Sequence, residues 1–506
     1  MSIAAWIVVP PYLLCSLVLL VFGIQCYVLT WLFLRSAPGK IPLQRERMRF
    51  FDTEDDPARY PDVVIQLPMY NEKQVAQRSI EAAGSMDWPS DRFAVQVLDD
   101  STDATAGYID AAVARLVQQG VQASVVRRGD RTGFKAGALQ NGLRFTNAEF
   151  VAIFDADFVP GRDFLRKSIP FFVDRPDIGL VQGRWTHLNR KASIVTRAQA
   201  MGIDGHFVIE QAARSWSGLF MNFNGTAGVF RRSAIETSGG WQHDTLTEDM
   251  DLSYRMQLAG WKTEFVPELE VPAELPEDIN GFKNQQFRWA KGSIQTAIKI
   301  LPQLSRSNAT PFQMLQAFLH LTHYAVHPFM LALALMTPVL LTVVKVSLSP
   351  WVFAIIVAGM LLSTSGPSAM YMVAQRFLGV PLRRRIPLIP AMMLVGIGLA
   401  INNTRAVVEA LTGRESPFHR TPKKGENRRL SNYRPIRDIS CILELAAGMY
   451  CLAGFQTFFN HSSVIITPFL VMYAAGFLFV GALSIIHYRR PELIDRKVAL
   501  PQFART

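Results

Sequence analysis

The chain has 506 residues, a mean hydropathy of +0.16 and a net charge of +11, from 52 Lys and Arg against 41 Asp and Glu. Its length allows about three domains. Because 49% of the residues are hydrophobic and only 18% are charged, a disordered chain is excluded and a wholly soluble enzyme is disfavoured. The positive excess is typical of a protein that contacts nucleic acid or the cytoplasmic face of a membrane.

The position of the charges distinguishes these two partners. Of the 41 acidic residues, 33 lie between residues 51 and 290, and none lies between 291 and 408. Basic clusters flank apolar runs at 383–385, 423–424, 428–429 and 489–490, which is the positive-inside pattern of membrane proteins. A nucleic-acid protein would place them on a folded polar domain. We therefore predict a lipid bilayer as partner and no nucleic acid.

The first apolar run, Ile3–Leu34, is long enough to cross a bilayer, which takes about 20 residues. It is too long for the apolar core of a signal peptide and has no clear small-residue cleavage site. We predict an N-terminal transmembrane helix at residues 1–35 and a cytosolic domain at residues 36–312. All four cysteines lie in apolar runs outside that domain, which fits a reducing compartment.

The polar segment alternates short apolar strands with helical patterns. Strands are predicted at Val63–Leu67, Ala94–Leu98, Ala123–Val126 and Phe150–Phe154. This alternation predicts an α/β domain with a mostly parallel sheet and helices on both faces. Ligands of such sheets bind at the carboxyl ends of the strands. No glycine-rich dinucleotide or P-loop fingerprint follows these strands, so the polar residues there need another explanation.

Two acidic clusters suggest chemistry. Asp155 and Asp157 follow the fourth strand, where alternation lets both carboxylates face one crevice. They could hold Mg²⁺ or Mn²⁺ together with phosphates and water, or they could be turn and cap acids. Glu248 and Asp249 open a helix, where acids are often caps, but one could be a general base.

Cationic and aromatic residues complete the set. Lys135 could neutralise a phosphate or be a solvated lysine. Arg288 could stabilise a leaving diphosphate, and the ring of Trp289 could pack against a sugar. A cation site, a carboxylate base and an aromatic platform beside a membrane together indicate sugar transfer from a nucleotide donor.

The region from 313 to 488 is predicted to be transmembrane, with about four spans at Leu315–Val346, Trp351–Val373, Cys441–Phe459 and Val464–Ile486. Basic residues bracket a fifth, shorter run, Ile386–Ile401, so we predict an interfacial or re-entrant helix near 386–412, with a full crossing as the alternative. The N-terminus is then outside and the tail, residues 489–506, is cytosolic.

A polar stripe begins this region, with members at helical spacing: Gln313, Gln316, His320, His323 and His327. Hydrogen bonding between helices is the simplest interpretation. A wet channel wall is a second, because polar residues inside a membrane often mark pathways. A metal ion between His323 and His327 is a third.

Nine motifs occur in one order between residues 60 and 295. They are Gln66–Glu72, Asp99–Asp103, Gly133–Leu139, Phe154–Phe158, Phe223–Gly228, Gly239–Trp241, Thr247–Leu252, Glu274–Pro276 and Gln285–Trp289. In this order the chain resembles membrane-embedded processive family 2 glycosyltransferases, which are cellulose synthase-like. The forms Asn-Gly-Thr-Ala-Gly and Gln-Gln-x-Arg-Trp are most similar to plant mannan synthase-like enzymes and their bacterial relatives.

The resemblance implies an inverting enzyme with a GT-A fold inserted between transmembrane helices, and it assigns roles residue by residue. Asp249, with Glu248 beside it, would be the general base. Asp155 and Asp157 would hold Mg²⁺ or Mn²⁺. Acceptor binding would fall to Trp289, Asn224, Gly225 and Thr226. The nucleotide-sugar would contact Pro68, Tyr70, Glu72, Asp99, Asp100, Lys135, Asp155, Gln285, Arg288, Thr421 and Lys423.

Thr421 and Lys423 belong to a segment near 415–430 that looks like the gating loop of cellulose synthases, although Arg420 stands where that family has a hydrophobic residue. Asn224 stands where many cellulose synthases have Cys. We also expect no cyclic-di-GMP-binding module after the last span. These departures argue against a straightforward bacterial cellulose synthase.

The implied reaction moves a hexose from GDP-mannose or UDP-glucose to the non-reducing end of a growing β-linked mannan, glucomannan or glucan. Export would follow through the enzyme's own transmembrane channel. The alternative is a non-processive enzyme making a glycolipid or a short oligosaccharide. Either would be a multi-pass protein of the plasma (inner) membrane with a cytoplasmic catalytic domain. A homo-oligomer or a periplasmic export partner is left open.

Overall fold

The computed structural model describes residues 3–54, 56, 59–340, 350–415, 425, 438–459 and 467–489. Seven strands form one sheet: β1 Val63–Met69, β2 Phe93–Asp99, β3 Gln122–Arg127, β4 Phe150–Ile153, β5 Ile178–His187, β6 Gly228–Arg231 and β7 Lys262–Ala273.

The helices up to residue 304 are α1 Ile3–Met48, α2 Ala76–Gly84, α3 Thr105–Gln118, α4 Phe134–Gly142, α5 Phe164–Ser168, α6 Ile194–Gly205, α7 Ala212–Trp216, α8 Arg232–Thr237, α9 Glu248–Leu258 and α10 Ile279–Leu304. A π-helical turn, His206–Gln211, joins α6 to α7. The later helices are α11 Pro311–Leu321, α12 Val326–Val339, α13 Pro350–Phe377, α14 Leu382–Arg385, α15 Leu388–Gly398, α16 Ala400–Leu411, α17 Ser440–Phe459 and α18 Thr467–Arg489.

The strand order is β3-β2-β1-β4-β6-β5-β7. Pairing is parallel except at β6, which runs antiparallel to both β4 and β5. The predicted α/β fold with a mostly parallel sheet is therefore confirmed. Central strands such as β1 are buried almost throughout, as expected when helices cover both faces.

Each face of the sheet has its own core. Ile65 and Val95 pack with Ile80 of α2 and Ile109 of α3 on one face. On the other face, Val64 and Ile153 belong to a core that also holds α4 residues and Phe33 of α1. Full burial of one such side chain contributes about 1.5–3 kcal/mol. The N-terminal apolar helix is thus packed against the α/β domain.

Helix α1 continues without a break past residue 35, the boundary predicted for the N-terminal segment. At about 1.5 Å per residue it is far longer than the ~30 Å hydrocarbon layer. Its last turns contact the domain: Gln44 Nε2 donates to Glu264 Oε1 at 2.7 Å and to the Phe265 carbonyl at 2.9 Å. A single helix therefore joins the apolar segment to the sheet.

Several helices could cross a membrane. Within the ranges that the structure describes, two helical segments are long and apolar enough, Ile7–Asp52 and Pro468–Arg489. The number rises to four if each of two bent pairs is one span, namely Pro311–Leu321 with His323–Val339, bent by 54°, and Leu388–Gly398 with Ala400–Leu411, bent by 42°. The run predicted as one helix from Leu315 is thus broken near Thr322, and the run near 386–412 is a broken span or a re-entrant pair.

The polar stripe makes hydrogen bonds to other elements, as the simplest interpretation predicts. Gln316 reaches α1, His320 reaches α9 and His327 reaches α16: the contacts are Gln316 Nε2 to Gln25 Oε1 at 2.9 Å, Tyr254 Oη with His320 Nδ1 at 2.7 Å, and Asn403 Nδ2 with His327 Nε2 at 2.9 Å. Among the described residues no group of three or more His, Cys, Asp or Glu side chains could hold a metal ion, so His323 and His327 have no third ligand of these types.

Candidate active site

The carboxyl ends of β1, β2 and β4 open into a cleft of about 330 Å³, closed on its other sides by α9 and α10. Fourteen of the residues assigned from sequence line it: Pro68, Tyr70, Glu72, Asp100, Lys135, Asp155, Asp157, Asn224, Gly225, Glu248, Asp249, Gln285, Arg288 and Trp289. The fold therefore brings together motifs that are more than 200 residues apart in the chain.

The other four residues assigned from sequence are either buried behind the cleft or outside the described residues. Asp99 and Thr226 are buried behind the wall of the cleft and do not line it. The hydroxyl of Thr226 accepts from the backbone N–H of Asp155 at 2.9 Å, so it orients a lining residue. Thr421 and Lys423 lie outside the described residues.

Asp100 is held by an arginine that the sequence reasoning missed. Arg128 donates to both carboxylate oxygens of Asp100, at 2.8 Å from Nε and 2.6 Å from Nη2. Behind it, Asp99 accepts from Arg127 Nε at 2.8 Å. A bidentate pair such as that of Arg128 with Asp100 fixes the orientation of the carboxylate in addition to pairing its charge. The signal that could have revealed them is the pair of arginines at the end of β3, directly beside the end of β2.

A second arginine covers the first motif. The guanidinium of Arg131 lies 3.3 Å from the centre of the Tyr70 ring. A cation over an aromatic face is attracted by the ring electrons, and both residues line the cleft. Arg131 was not assigned from sequence, because nothing in its spacing distinguishes it from a solvated arginine.

Lys135 lies in the middle of the site. It follows a turn in which Gly133 has φ of 74° and Phe134 φ of 47°, left-handed values that favour glycine. Its Nζ donates to Asp155 Oδ1 at 2.5 Å and to the Gly225 carbonyl at 2.7 Å. The lysine thereby links the acidic motif after β4 to the Asn-Gly-Thr loop before β6.

The charges of the cleft are unbalanced toward acid. Burial and, to a smaller extent, the neighbouring Glu248 carboxylate raise the pKa of Asp249 to about 7. Burial also raises the pKa of Glu248 above its ordinary value. For Lys135, burial favours the neutral amine, but the charges of Asp155 and Glu248 outweigh burial and raise its pKa. A proton-accepting group with a pKa near neutrality is suited to general base catalysis.

Gly225 allows a close approach to Asp249. Its φ is 84°, and a Cβ added there would lie 3.0 Å from Asp249 Oδ2 and 3.4 Å from Lys135 Nζ. A side chain at this position would both strain the backbone and crowd the carboxylate. The glycine of the Asn-Gly-Thr motif therefore leaves space in front of Asp249.

Asn224, beside it, has its amide fixed at both ends. Gln211 Nε2 donates to its Oδ1 at 2.5 Å, and its Nδ2 lies 3.0 Å from His206 Nε2. His206 Nδ1 in turn lies 2.9 Å from Glu210 Oε2. All three partners belong to the π-helical turn, a conformation that is frequent at functional sites.

Helix α10 supplies the far wall with Gln285, Arg288 and Trp289. The Trp289 ring lies 6.4 Å from that of Trp185, which also lines the cleft and was missed by the motif analysis. Burial lowers the pKa of Arg288, although Glu248 and Asp155 favour its charged form. Arg288 is therefore a cation in a largely desolvated position, where an anion would be bound strongly.

The acidic end of β4 offers oxygen donors of the type that Mg²⁺ and Mn²⁺ prefer. Asp155 and Asp157 both line the cleft. Two carboxylates fit a cation whose other ligands are phosphate and water, which is common for Mg²⁺. Carboxylates outnumber cations around Lys135, and a bound divalent ion would offset part of this negative charge.

Of the predicted gating segment near 415–430, the structure describes Glu415 and Gly425. The Gly425 N–H donates to Glu274 Oε2 at 3.2 Å, while Glu274 Oε1 accepts from Arg78 at 2.8 Å. Glu274 lines the cleft. Gly425 therefore lies next to the wall of the cleft. It is also close to α2, because Arg78 of that helix pairs with the same glutamate.

Among solved structures, a mannosyltransferase from Pyrobaculum calidifontis in complex with GDP-Man and Mn²⁺ matches this chain. Its TM-score is 0.48 at 21% sequence identity, and the match covers 78% of this chain and 100% of that one.

The sequence comparisons concern the region that carries the cleft. Residues 61–292 match the family model described as glycosyltransferase like family 2. Glucomannan 4-beta-mannosyltransferase 7 of Arabidopsis thaliana is 45% identical over 260 residues, 51% of this chain and 47% of that protein. Glucomannan 4-beta-mannosyltransferase 1 of Oryza sativa subsp. japonica is 44% identical over 262 residues, 50% of each chain. The chain spans about half the length of these curated relatives. Residues 61–292 are therefore similar to family 2 glycosyltransferases, and in particular to plant glucomannan mannosyltransferases.

Proposed function

We propose that this protein transfers a hexose, with inversion, from a nucleotide-sugar to the non-reducing end of a β-linked polysaccharide of the mannan or glucomannan type. The observation that carries the proposal is the meeting, in one cleft, of Asp249, Lys135, Asp155 and the Arg288–Trp289 pair. The similarity to relatives named mannosyltransferases favours mannose, and hence GDP-mannose, over UDP-glucose.

In this mechanism Asp249 removes the proton from the acceptor hydroxyl as that oxygen attacks the anomeric carbon. Its pKa of about 7 lets it accept a proton without being fully protonated at neutral pH. Gly225 leaves the space in which the hydroxyl can approach the carboxylate. Trp289 holds the acceptor sugar by its flat apolar face, and Asn224 offers an amide with a fixed orientation.

The departing nucleoside diphosphate gains one negative charge, on the oxygen that leaves the anomeric carbon, and the cleft must stabilise it. Lys135 and Arg288 provide fixed cations for it. Asp155 and Asp157 would hold a Mg²⁺ or Mn²⁺ ion, which when bound neutralises diphosphate charge as a Lewis acid. Asp100, oriented by Arg128, would contact the base or ribose at the other end.

Membrane attachment extends the proposal. Two or more apolar helices could cross a membrane. We place the catalytic domain on the cytoplasmic side of the plasma (inner) membrane, where nucleotide-sugars are made, and we propose export of the product through the protein's own helices. The alternative, a non-processive enzyme that makes a glycolipid or short oligosaccharide, uses the same cleft and differs only in the fate of the product.

The test is product analysis with the purified full-length protein in lipid nanodiscs. Radiolabelled GDP-mannose and UDP-glucose are supplied separately, each with Mn²⁺ and a β-1,4-mannohexaose acceptor. We expect a ladder of products longer than the acceptor with GDP-mannose. Addition of a single sugar would contradict polymer synthesis and favour the non-processive enzyme. Preference for UDP-glucose would contradict a mannan product and favour a glucan.

A further inference from the structure

Two lysines of helix α10 are buried on either side of the Gln285–Trp289 motif. The side chains of Lys283 and Lys291 are 1% and 2% exposed. Lysine is almost never buried so fully unless it is paired. Neither residue lines the cleft, so the reaction described above does not use them.

Lys283 contacts the start of α17. Its Nζ lies 2.5 Å from Glu444 Oε1, donates to Ser440 Oγ at 2.8 Å and also pairs with Asp438. The backbone carbonyl of Lys283 accepts from Asn402 of α16 at 2.9 Å. One turn of α10 is thereby fixed to two helices of the membrane region.

Lys291 makes the equivalent contact two turns later. Its Nζ lies 3.2 Å from Glu409 Oε2 of α16 and donates to the Arg414 carbonyl just beyond that helix. At about 100° per residue, the two lysines lie only about 80° apart around α10. Arg288 and Trp289, between them in sequence, face the cleft.

The two walls of the cleft are therefore supported differently. Asp100 and Asp155 follow strands of the sheet, whereas Arg288 and Trp289 belong to a helix that is fixed to α16 and α17. A buried ion pair contributes little net stability, because desolvation offsets the attraction. Its hydrogen bonds nevertheless require narrow ranges of distance and angle, so they favour one position of the helix.

We propose that Lys283 and Lys291 are positioning residues, which set Arg288 and Trp289 at the distance from Asp249 that transfer to a bound acceptor requires. This inference rests on the proposed glycosyl transfer. It predicts a defect in acceptor use and a much smaller one in nucleotide binding, because Arg288 is only one of several groups assigned to the nucleotide and most of the others lie on the sheet side of the cleft. A misplacement of about 1 Å can cost up to roughly 100-fold in rate.

The decisive variant removes the Lys291 pair without leaving a buried charge. Lys291→Met alone leaves the Glu409 carboxylate with Arg405 as its remaining ion-pair partner, whereas Lys291→Met with Glu409→Gln removes both buried charges at similar volume. We expect the double variant to unfold at the parental temperature. We also expect its KM for β-1,4-mannohexaose to rise about tenfold and its kcat to fall, with the Kd for GDP unchanged within about twofold. Lys262→Met is the control, since Lys262 pairs with Asp177 on the surface, at 66% exposure.

Hydrogen–deuterium exchange of the peptide covering residues 285–289 adds a readout that does not depend on activity. Faster exchange in the double variant, together with the KM change, supports the positioning role. Parental exchange and parental kinetics in the double variant would overturn it, because the pair would then only avoid an unpaired charge. If the parent protein transfers no sugar, the proposed function fails, while the exchange measurement still decides whether Lys291 fixes the helix.

Discussion

Asp249 is the residue on which the proposed chemistry depends most. It lies in the first turn of α9, with Glu248 beside it and Gly225 in front of it. Its neighbours Lys135 and Asp155 come from other motifs, so its environment is created by the fold. The sequence identifies the carboxylate, but only the burial and the adjacent charge explain why its pKa is raised to about 7.

Replacing Asp249 by Asn removes the base and nearly preserves the shape of the side chain. We expect kcat for sugar transfer to fall by about 10²–10⁴, with nucleotide binding retained. Isothermal titration with GDP and a radiochemical transfer assay measure the two effects. Asp163→Asn is the matched control, because Asp163 is an exposed partner of Lys167 outside the cleft. Full turnover by the Asp249 variant would show that another group accepts the proton.

The raised pKa of Asp249 also predicts a pH dependence. Because burial favours the neutral acid, the carboxyl binds a proton below pH 7 and cannot act as base. The value of kcat/KM should therefore fall about tenfold per pH unit below an apparent pKa near 7, and level off above it. Initial rates measured in overlapping buffers test this, with thermal unfolding recorded at each pH. A flat profile from about pH 5.5 to 8 contradicts the assignment.

Metal removal tests Asp155 and Asp157. We expect EDTA to abolish transfer and Mn²⁺ or Mg²⁺ to restore it, because the diphosphate charge needs a cation in addition to Lys135 and Arg288. Asp157→Asn should raise the metal concentration that gives half-maximal activity. Full activity of the parent after EDTA treatment and gel filtration would rule out a required divalent ion.

At the scale of elements, helices α1 and α13 are packed through small residues. A Cβ added to Gly23 would lie 2.4 Å from Ser363 Cα, and one added to Gly366 would lie 2.2 Å from the Gly23 carbonyl oxygen. In a lipid bilayer the hydrophobic effect does not drive helices together, because lipid tails are as apolar as the side chains. Small residues instead let the helix backbones approach closely and pack. The glycines here therefore let α1 and α13 pack backbone against backbone.

Gly366→Leu should separate α1 from α13 and destabilise the protein by about 1–3 kcal/mol. The fluorescence-detected unfolding temperature in detergent measures the effect. Gly396→Leu in α15 is the control, because a Cβ at Gly396 meets nothing within 4 Å. Equal unfolding temperatures for the two variants would mean that this helix contact is not required for stability.

The elements also show where sequence patterns succeed. The strands β1 to β4 were predicted to within two residues, since runs such as Val63–Leu67 are apolar and buried on both faces. The strands β5 to β7 were not predicted. β6 has only four residues, and β7 contains charged residues together with Pro267 and Pro272, which disfavour a strand in sequence terms. Pairing within the sheet overrides these local preferences.

At the scale of the whole molecule, the basic residues predict orientation. Lys and Arg accumulate in cytoplasmic loops, so residues 36–312 and the C-terminus should lie inside and the N-terminus outside. Epitope tags at both ends, with protease added to sealed inside-out membrane vesicles, measure this. We expect cleavage of the C-terminal tag and protection of the N-terminal one. Protection of both tags would require an even number of crossings and would make the run near 386–412 a full span.

The sequence by itself predicted the α/β fold and the carboxylates, lysine and Gln-x-x-Arg-Trp motif that line the cleft, because these are local patterns at strand and helix ends. It also indicated membrane helices, because the length of an apolar run and the charges that flank it can both be read from consecutive residues. Only the tertiary structure decided which residues share the cleft, that Asp99 and Thr226 lie behind it, and that Arg128 holds Asp100. These depend on contacts between distant segments, such as those of Lys283 and Lys291 with the membrane region, which no local pattern encodes.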